Sequence, residues 1–289
     1  MVLLLFVSAS NQARCPTEAA GNTPAGLRAM TSPAASAVDA RCADSIESRI
    51  SPPPGFRRVA VEPGSFAAAL RRLPLRPAGS PVLLYDGRPK HRQDVHAAVV
   101  DMPIGHRDLQ QCADAVMRLR AEYLRSAGRQ DEISFKFASG FRASWPRWKE
   151  GWRPVVQGNR VSERKTAMPD PSDRSFRAYM ETLFQYANTY SLANEMQAVL
   201  RARDMRIGDV FVHGGFPGHA AIVADMAESS EGSRVFLLLQ SYMPAQDIHV
   251  LKNPKDGGAW YPVDFDRVLD TPEWTFSAAD LRRFAQERS

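Results

Sequence analysis

Cysteine is scarce in this chain: three in 289 residues, at positions 15, 42 and 112, none in a CxxC pair or a Cys/His cluster. That leaves no ligand spacing for a structural zinc site. Cys15 and Cys42 could pair in an oxidising compartment, which would leave Cys112 as a free thiol. Blocks of like charge are also missing. The net charge of +5 comes from 37 basic and 32 acidic residues scattered among one another, so a nucleic-acid-binding surface has little support. The one glycine-rich loop, GGFPGH, lacks the Lys-Ser/Thr of a phosphate-binding loop and does not open a helix. HExxH, GxSxG and kinase signatures are absent, as are internal repeats. No cofactor and no metal site are called for.

The apolar run VLLLFVSAS, which begins at Val2, is too short to span a bilayer. With the small residues at its end it reads as a signal-like segment over residues 1–14, although the usual basic start is missing. Cys15 follows Gln-Ala-Arg, which is not the small-residue context of a lipoprotein cysteine. Residues 15–54 are rich in Ala, Ser, Thr and Pro and are expected to form a disordered linker, closed by Pro52-Pro53-Pro54-Gly55. A single α+β domain is expected over 55–289.

Within it, Arg57–Val61, Val82–Tyr85, Val95–Met102 and Ile133–Ala138 read as strands. Ser65 caps a helix that runs to Arg72. Asp108 is placed to cap a longer helix ending at Gly128, with Leu109, Cys112, Val116, Leu119 and Tyr123 on one apolar face. A further helix starts at Ser172 or Ser175 and continues through Met196, and a short one covers Leu281–Phe284. Residues 141–174 place Trp145, Trp148 and Trp152 among Arg142, Arg147, Lys149 and Arg153. Such interleaving suits a ligand-stacking surface, and equally a loop-rich satellite core held by the tryptophans.

The chemistry concentrates in residues 207–251. Val210 to Val212, Ala220 to Ala224 and Val235 to Leu239 have the apolar character of buried strands. His219 opens the second of these, and Gln240, Ser241 and Tyr242 follow the third. A histidine at a strand start, with a polar neighbour to fix its tautomer, is the layout of a general base. A cysteine in the first turn of a helix meets the positive end of the helix dipole, which favours thiolate. Cys112, His219 and Gln240 therefore form a candidate nucleophile, base and orienting group in chain order, with Asp209 or His213 as substitutes for the third. The plain alternative is that Cys112 is a packing residue on an apolar helix face. A metal-assisted site built from His213, His219 and Asp225 or His249 is a third reading.

Gly208-Asp209-Val210 and Gly218-His219-Ala220, together with a cysteine near a helix start, resemble the papain-like fold of the NlpC/P60 and CHAP cell-wall amidases. Those families place Asp or Asn before the cysteine and Ser-Gly after it, where this chain has Gln111 and Ala113-Asp114. Over residues 55–285, GSPVLLYDG, DLQQCADAVMRLRAEYL, GDVFVHGGFPGHA and QSYMPAQDIHVLKNP resemble the bacterial domain-of-unknown-function family 4846. That resemblance implies an exported or lipid-anchored protein and no particular activity.

The expectation is thus a papain-like α+β core with a central antiparallel sheet and packed helices. The expected function is an exported thiol hydrolase of the periplasm or cell envelope, cutting an amide in peptidoglycan or a peptide. Cys112, His219 and Gln240 would be catalytic, and Trp145, Trp148, Trp152, Ser241 and Tyr242 would bind substrate. The alternative is a non-catalytic envelope protein that binds glycan or peptide through the tryptophan loop.

Overall fold

The computed structural model describes residues 44–285. The run from Val2, Cys15 and Cys42 lie outside them. The chain order is α1 (Ile46–Arg49), β1 (Phe56–Arg58), α2 (Phe66–Arg71), β2 (His96–Val99), α3 (Cys112–Ser126), β3 (Ser134–Lys136), β4 (Arg142–Ser144), α4 (Trp145–Lys149), β5 (Trp152–Gln157) and β6 (Arg160–Lys165). Then follow α5 (Asp173–Tyr186), α6 (Thr189–Glu195), β7 (Gln197–Ala198), β8 (Val210–His213), β9 (His219–Ser229), β10 (Arg234–Gln240), β11 (His249–Leu251), β12 (Tyr261–Pro262), β13 (Val268–Asp270), β14 (Thr275–Ser277) and β15 (Leu281–Arg283). The fold is α+β, organised on one large antiparallel sheet.

The sheet runs β2-β11-β10-β9-β8-β15-β7, with β1 added to β9 and β12 added to β10. Its spine is β9, eleven residues long. The first half of β9 pairs with β8 and the far end pairs with β1. Alternation along β9 splits the core in two. Ala220, Ile222 and Ala224 join the cluster that contains the α3 residues Cys112, Val116 and Leu119. Ala221 and Val223 face the opposite way, onto Phe211, Phe236, Leu238 and Phe276. Both faces are covered, so β9 and β10 are near-continuous apolar runs rather than alternating ones.

One buried charge fastens the spine. Asp225 is fully buried and accepts from Arg58 Nε at 2.6 Å and Arg71 Nε at 2.8 Å. Arg58 also donates to the Ile50 carbonyl, so β9 is tied to the N-terminal elements. A buried carboxylate needs such partners, because alone its desolvation would cost several kcal/mol.

The linker expected over residues 15–54 does not extend through residues 44–54, and residues 15–43 lie outside the described residues. Residues 44–54 belong to the domain: Ile46 is fully buried, Ser45 caps α1, and Leu75 N donates to the Asp44 carbonyl. One apolar anchor and backbone pairing to residues 73–75 suffice, against a local composition that favours disorder.

Three further expectations change. The helix expected from Ser172 or Ser175 through Met196 is two helices: Ala187 is extended (ψ 165°) and Asn188 caps α6 by accepting from Ser191 N at 2.9 Å. The terminal helix at 281–284 is strand β15, because Ser277 and Asp280 close a 3₁₀ turn and Leu281 then pairs with Phe211 of β8. Val82–Tyr85 forms only isolated bridges, Leu83 to Pro89 and Leu84 to Gln246.

The tryptophan segment is a satellite core. Trp145 is fully buried, meets Phe176 edge-on at 5.1 Å, and donates its indole N–H to Gln130 at 3.2 Å. Trp148 is buried and donates to Ser175 Oγ. The expectation that Trp145 and Trp148 stack on a ligand is corrected: their faces are already occupied by protein. Trp152 is half-buried, with the Arg147 guanidinium 3.7 Å above one face of its ring. Among the described residues no helix is long and apolar enough to cross a membrane.

Candidate functional site

The helix expected from Asp108 begins later, at Cys112 itself. Asp108 is drawn away because its Oδ1 accepts from Ala245 N at 2.7 Å and from Gln111 Nε2 at 3.2 Å. The capping task falls to Asp114, which accepts from Gln111 N at 3.0 Å. Cys112 thus occupies the first helical position, where backbone N–H groups have no partner within the helix. The amides of Ala113, Ala220 and Cys112 itself act on its sulfur and pull the thiol pKa down. Ala220 is the residue after His219.

Those amides are outweighed. Burial, with the Asp114 carboxyl beside it, raises the thiol to about 11. Asp114 is also raised by burial, to about 8, so it is largely neutral at neutral pH. Helix position alone suggested a thiolate. The structure corrects that: a thiol that is only 6% exposed keeps its proton.

His219 is brought to the same cleft by the turn Gly214–Gly218. Gly218 has to be glycine on packing grounds: a Cβ there would lie 2.3 Å from Thr189 Oγ1, 2.6 Å from the Gly215 carbonyl oxygen and 2.8 Å from that of His213. The turn lies tightly against α6 and hands His219 to the strand. The imidazole stacks on Phe276 at 5.6 Å, with the Trp274 ring at 5.4 Å and the Tyr242 ring at 4.8 Å, both tilted against it. Burial lowers its pKa to about 4, against a hydrogen bond donated to Gln240 that favours the charged form.

A chain of hydrogen bonds sets its tautomer. His249 is fully buried, and its Nδ1–H donates to the Asp247 carbonyl at 2.8 Å. Its Nε2 is then a lone pair, which accepts from Gln240 Nε2 at 3.3 Å. The other amide hydrogen of Gln240 goes to Glu273 Oε2 at 2.8 Å. With both N–H groups committed, Gln240 must present Oε1 to His219, whose Nε2–H donates to it at 2.8 Å. Nδ1 of His219 is consequently the basic nitrogen, and among the described residues it has no hydrogen-bond partner. Glu273 is held in turn by Lys90 at 2.7 Å, and Lys90 also donates to Gln246 at 2.8 Å.

Cys112 and His219 line one cleft of about 890 Å³, with Gln111, Asn188, Thr189, Phe216, Met243 and Trp274 among its walls. Of the residues singled out in the sequence, Cys112, His219 and Tyr242 line this cleft, and Gln240 stands directly behind His219. Ser241 is a correction: it is fully buried and donates to the Gln246 and Gln110 carbonyls, so it clamps backbone rather than substrate. The substitutes for the third role are engaged elsewhere. Asp209 pairs with Arg283 at 2.6 Å, and His213 meets Asp280 at 3.2 Å. The metal reading loses its ligands as well. Asp225 is bound by two arginines, both nitrogens of His249 are in hydrogen bonds, and no three His, Cys, Asp or Glu among the described residues could hold an ion together.

Sequence reasoning missed Lys90, Glu273 and Trp274. Each lies in an irregular segment, and only the folded sheet brings Lys90 and Glu273 behind His219 and Trp274 against its ring. A glutamine at a strand end offered no hint that both its amide hydrogens would be fixed.

Comparison with curated proteins and with solved structures finds no match. A family model does match, over residues 46–283, and takes in the cleft, the sheet and the hydrogen-bond chain behind it. The chain belongs to the family described as domain of unknown function 4846.

Proposed function

We propose that the protein is a thiol hydrolase of papain-like type, acting on an amide in a peptide or in peptidoglycan. The observation that carries this is the fixed tautomer of His219, a residue that lines the same cleft as Cys112, the first residue of its helix. In this reading Nδ1 takes the thiol proton as sulfur attacks the carbonyl carbon. Amides at the helix start are the donors for the developing oxyanion. Collapse breaks the C–N bond, and the imidazolium gives its proton to the leaving amine. Water then attacks the thioester, giving its proton to Nδ1. The acid leaves and the sulfur takes the proton back. Gln240 orients the ring throughout and does not ionise. Resting thiol and imidazole are both neutral here, so proton transfer accompanies attack instead of preceding it. An exported location in the envelope belongs to the same proposal and rests on the apolar run from Val2.

A second reading, a non-catalytic protein that binds peptide in the same cleft, draws on the raised thiol and lowered imidazole pKa values. The experiment that separates the two is digestion of a mixed peptide library and of purified peptidoglycan, with products read by mass spectrometry. The hydrolase gives new amine and acid termini that vanish in Cys112→Ala and in His219→Ala. Products that persist in both variants overturn Cys112 and His219 as the catalytic pair, and the absence of products from any substrate alongside measurable peptide binding replaces the hydrolase with the binding reading.

A further inference from the structure

We infer that the cleft selects a peptide stretch with a bulky apolar side chain beside the scissile amide and no carboxylate within the span it grips. This deepens the thiol-hydrolase reading and rests on it. Seven large apolar side chains stand exposed among the described residues, and three of them, Tyr190, Phe216 and Met243, sit on this one cleft. Phe216 is fully exposed at the tip of the turn that carries His219. Leu109, Phe184 and Trp274 continue the apolar surface inward. Exposed apolar area gathered around one opening marks a surface that is covered when occupied.

The charges point the same way. No lysine or arginine lines the cleft, and its only ionisable residues besides Cys112, His219 and two tyrosines are Asp108 and Asp114. A carboxylate or phosphate entering would lose its water and find no cation, while Asp108 would repel it. Peptidoglycan stem peptides carry several carboxylates, so they are poor occupants. A long acyl chain would be better served by closed apolar walls, whereas these walls also carry the amides of Gln111, Gln185 and Asn188. Those groups suit a peptide backbone, which needs both donors and acceptors. An apolar pocket gains about 10-fold to 100-fold in rate for a side chain that fills it over one that does not.

The test uses the full chain with Cys15→Ser and Cys42→Ser, so that Cys112 is the one thiol. Capped dipeptide chloromethyl ketones with Phe or Leu next to the reactive carbon are compared with Glu and Lys versions, a dodecanoyl version and one with no peptide. Sulfur displaces chloride to form a C–S bond, and adducts are timed by intact mass. Phe and Leu are expected to label Cys112 at least about 10-fold faster than Glu and than the dodecanoyl reagent. Phe216→Ser is expected to narrow the Phe-to-Glu ratio. Labelling that depends on His219 but shows no preference, or prefers Glu or the acyl chain, overturns the specificity and leaves the nucleophile standing. No labelling by any reagent, or labelling unchanged in His219→Ala, overturns both.

Discussion

The buried histidine pair gives this fold a distinctive response to acid, and His249 isolates it. Burial lowers its pKa from 6.5 to about 3, against the bond to the Asp247 carbonyl, and nearby Lys90, His96 and His219 push the same way. The unfolded chain therefore takes up the proton first, as pH falls below 6.5. From there down to about 3 the folded state loses stability relative to the unfolded one. Between pH 7.5 and pH 5 the loss from this one group integrates to about 2 kcal/mol, since each pKa unit is worth about 1.4 kcal/mol. Replacing His249 by Gln keeps a donor and an acceptor and removes the titration. Asp114 and Glu195 are raised by burial and act in the opposite direction, but they are present in both proteins and cancel in the comparison. Urea unfolding of wild type and His249→Gln across that range should show wild type losing about 2 kcal/mol more. With an m-value near 2–3 kcal/mol/M, that is a relative midpoint shift of roughly 0.7–1 M. Parallel profiles would refute the reasoning. His249 would then be charged or solvated in the fold, and the hydrogen-bond chain that fixes His219 would lose its first link.

The raised thiol predicts that iodoacetamide alkylates native Cys112 at a rate that climbs about tenfold per pH unit, with no plateau before pH 10. At neutral pH, moving the thiol from 9.0 to about 11 leaves about 100-fold less thiolate than an ordinary cysteine has; a plateau near pH 8 would reveal an ion pair at rest. Gln240→Ala removes the bond that orients His219, and turnover of any Cys112-dependent substrate should fall at least about tenfold, the equivalent of one lost hydrogen bond. Turnover unaffected by that change would remove Gln240 from the site. Gly218→Ala places a methyl against two carbonyl oxygens and Thr189, and thermal unfolding should register a loss of about 1–3 kcal/mol. Adding Thr189→Ala should not restore it, because the carbonyl oxygens remain.

What the sequence made legible was the periodicity of the core and the residues with reactive side chains. The strands holding Val210, Ile222 and Leu238 lie where their apolar runs suggested, because burial on both faces leaves a local signature. The α+β class and the placing of His219 at a strand start followed from that signature. Ser65 and Ser172 cap helices as their chemistry suggests, whereas Asp108 has the right chemistry for a cap but commits it to Ala245, 137 residues away. The break at Ala187–Asn188 interrupts an apolar pattern that continues across it, so helical spacing alone runs through the gap. Leu281–Phe284 has helical spacing too, yet the unpaired edge of β8 claims it as a strand. At the site, Gln240 was visible as the residue ending a strand, whereas Glu273 and Lys90 could not be placed behind it before the loops were folded. The pKa directions were illegible for the same reason. The helix start is local and favours thiolate, but the desolvation that defeats it comes from the whole surround.

The Asp225 latch bears on where this chain can be shortened. Arg58, held beside Ile50, fastens the outer part of the strand that begins at His219. A chain shortened to begin at or before Asp44 would keep these contacts. A cut further in, at the Pro52–Pro54 stretch that looks from composition like the natural border, would discard Ile46 and the Ile50 carbonyl. The guanidinium would lose one of its fixed acceptors, and the strand carrying the base would lose part of its footing. The border of the fold is in this way set by a carboxylate far along the chain and not by the local composition.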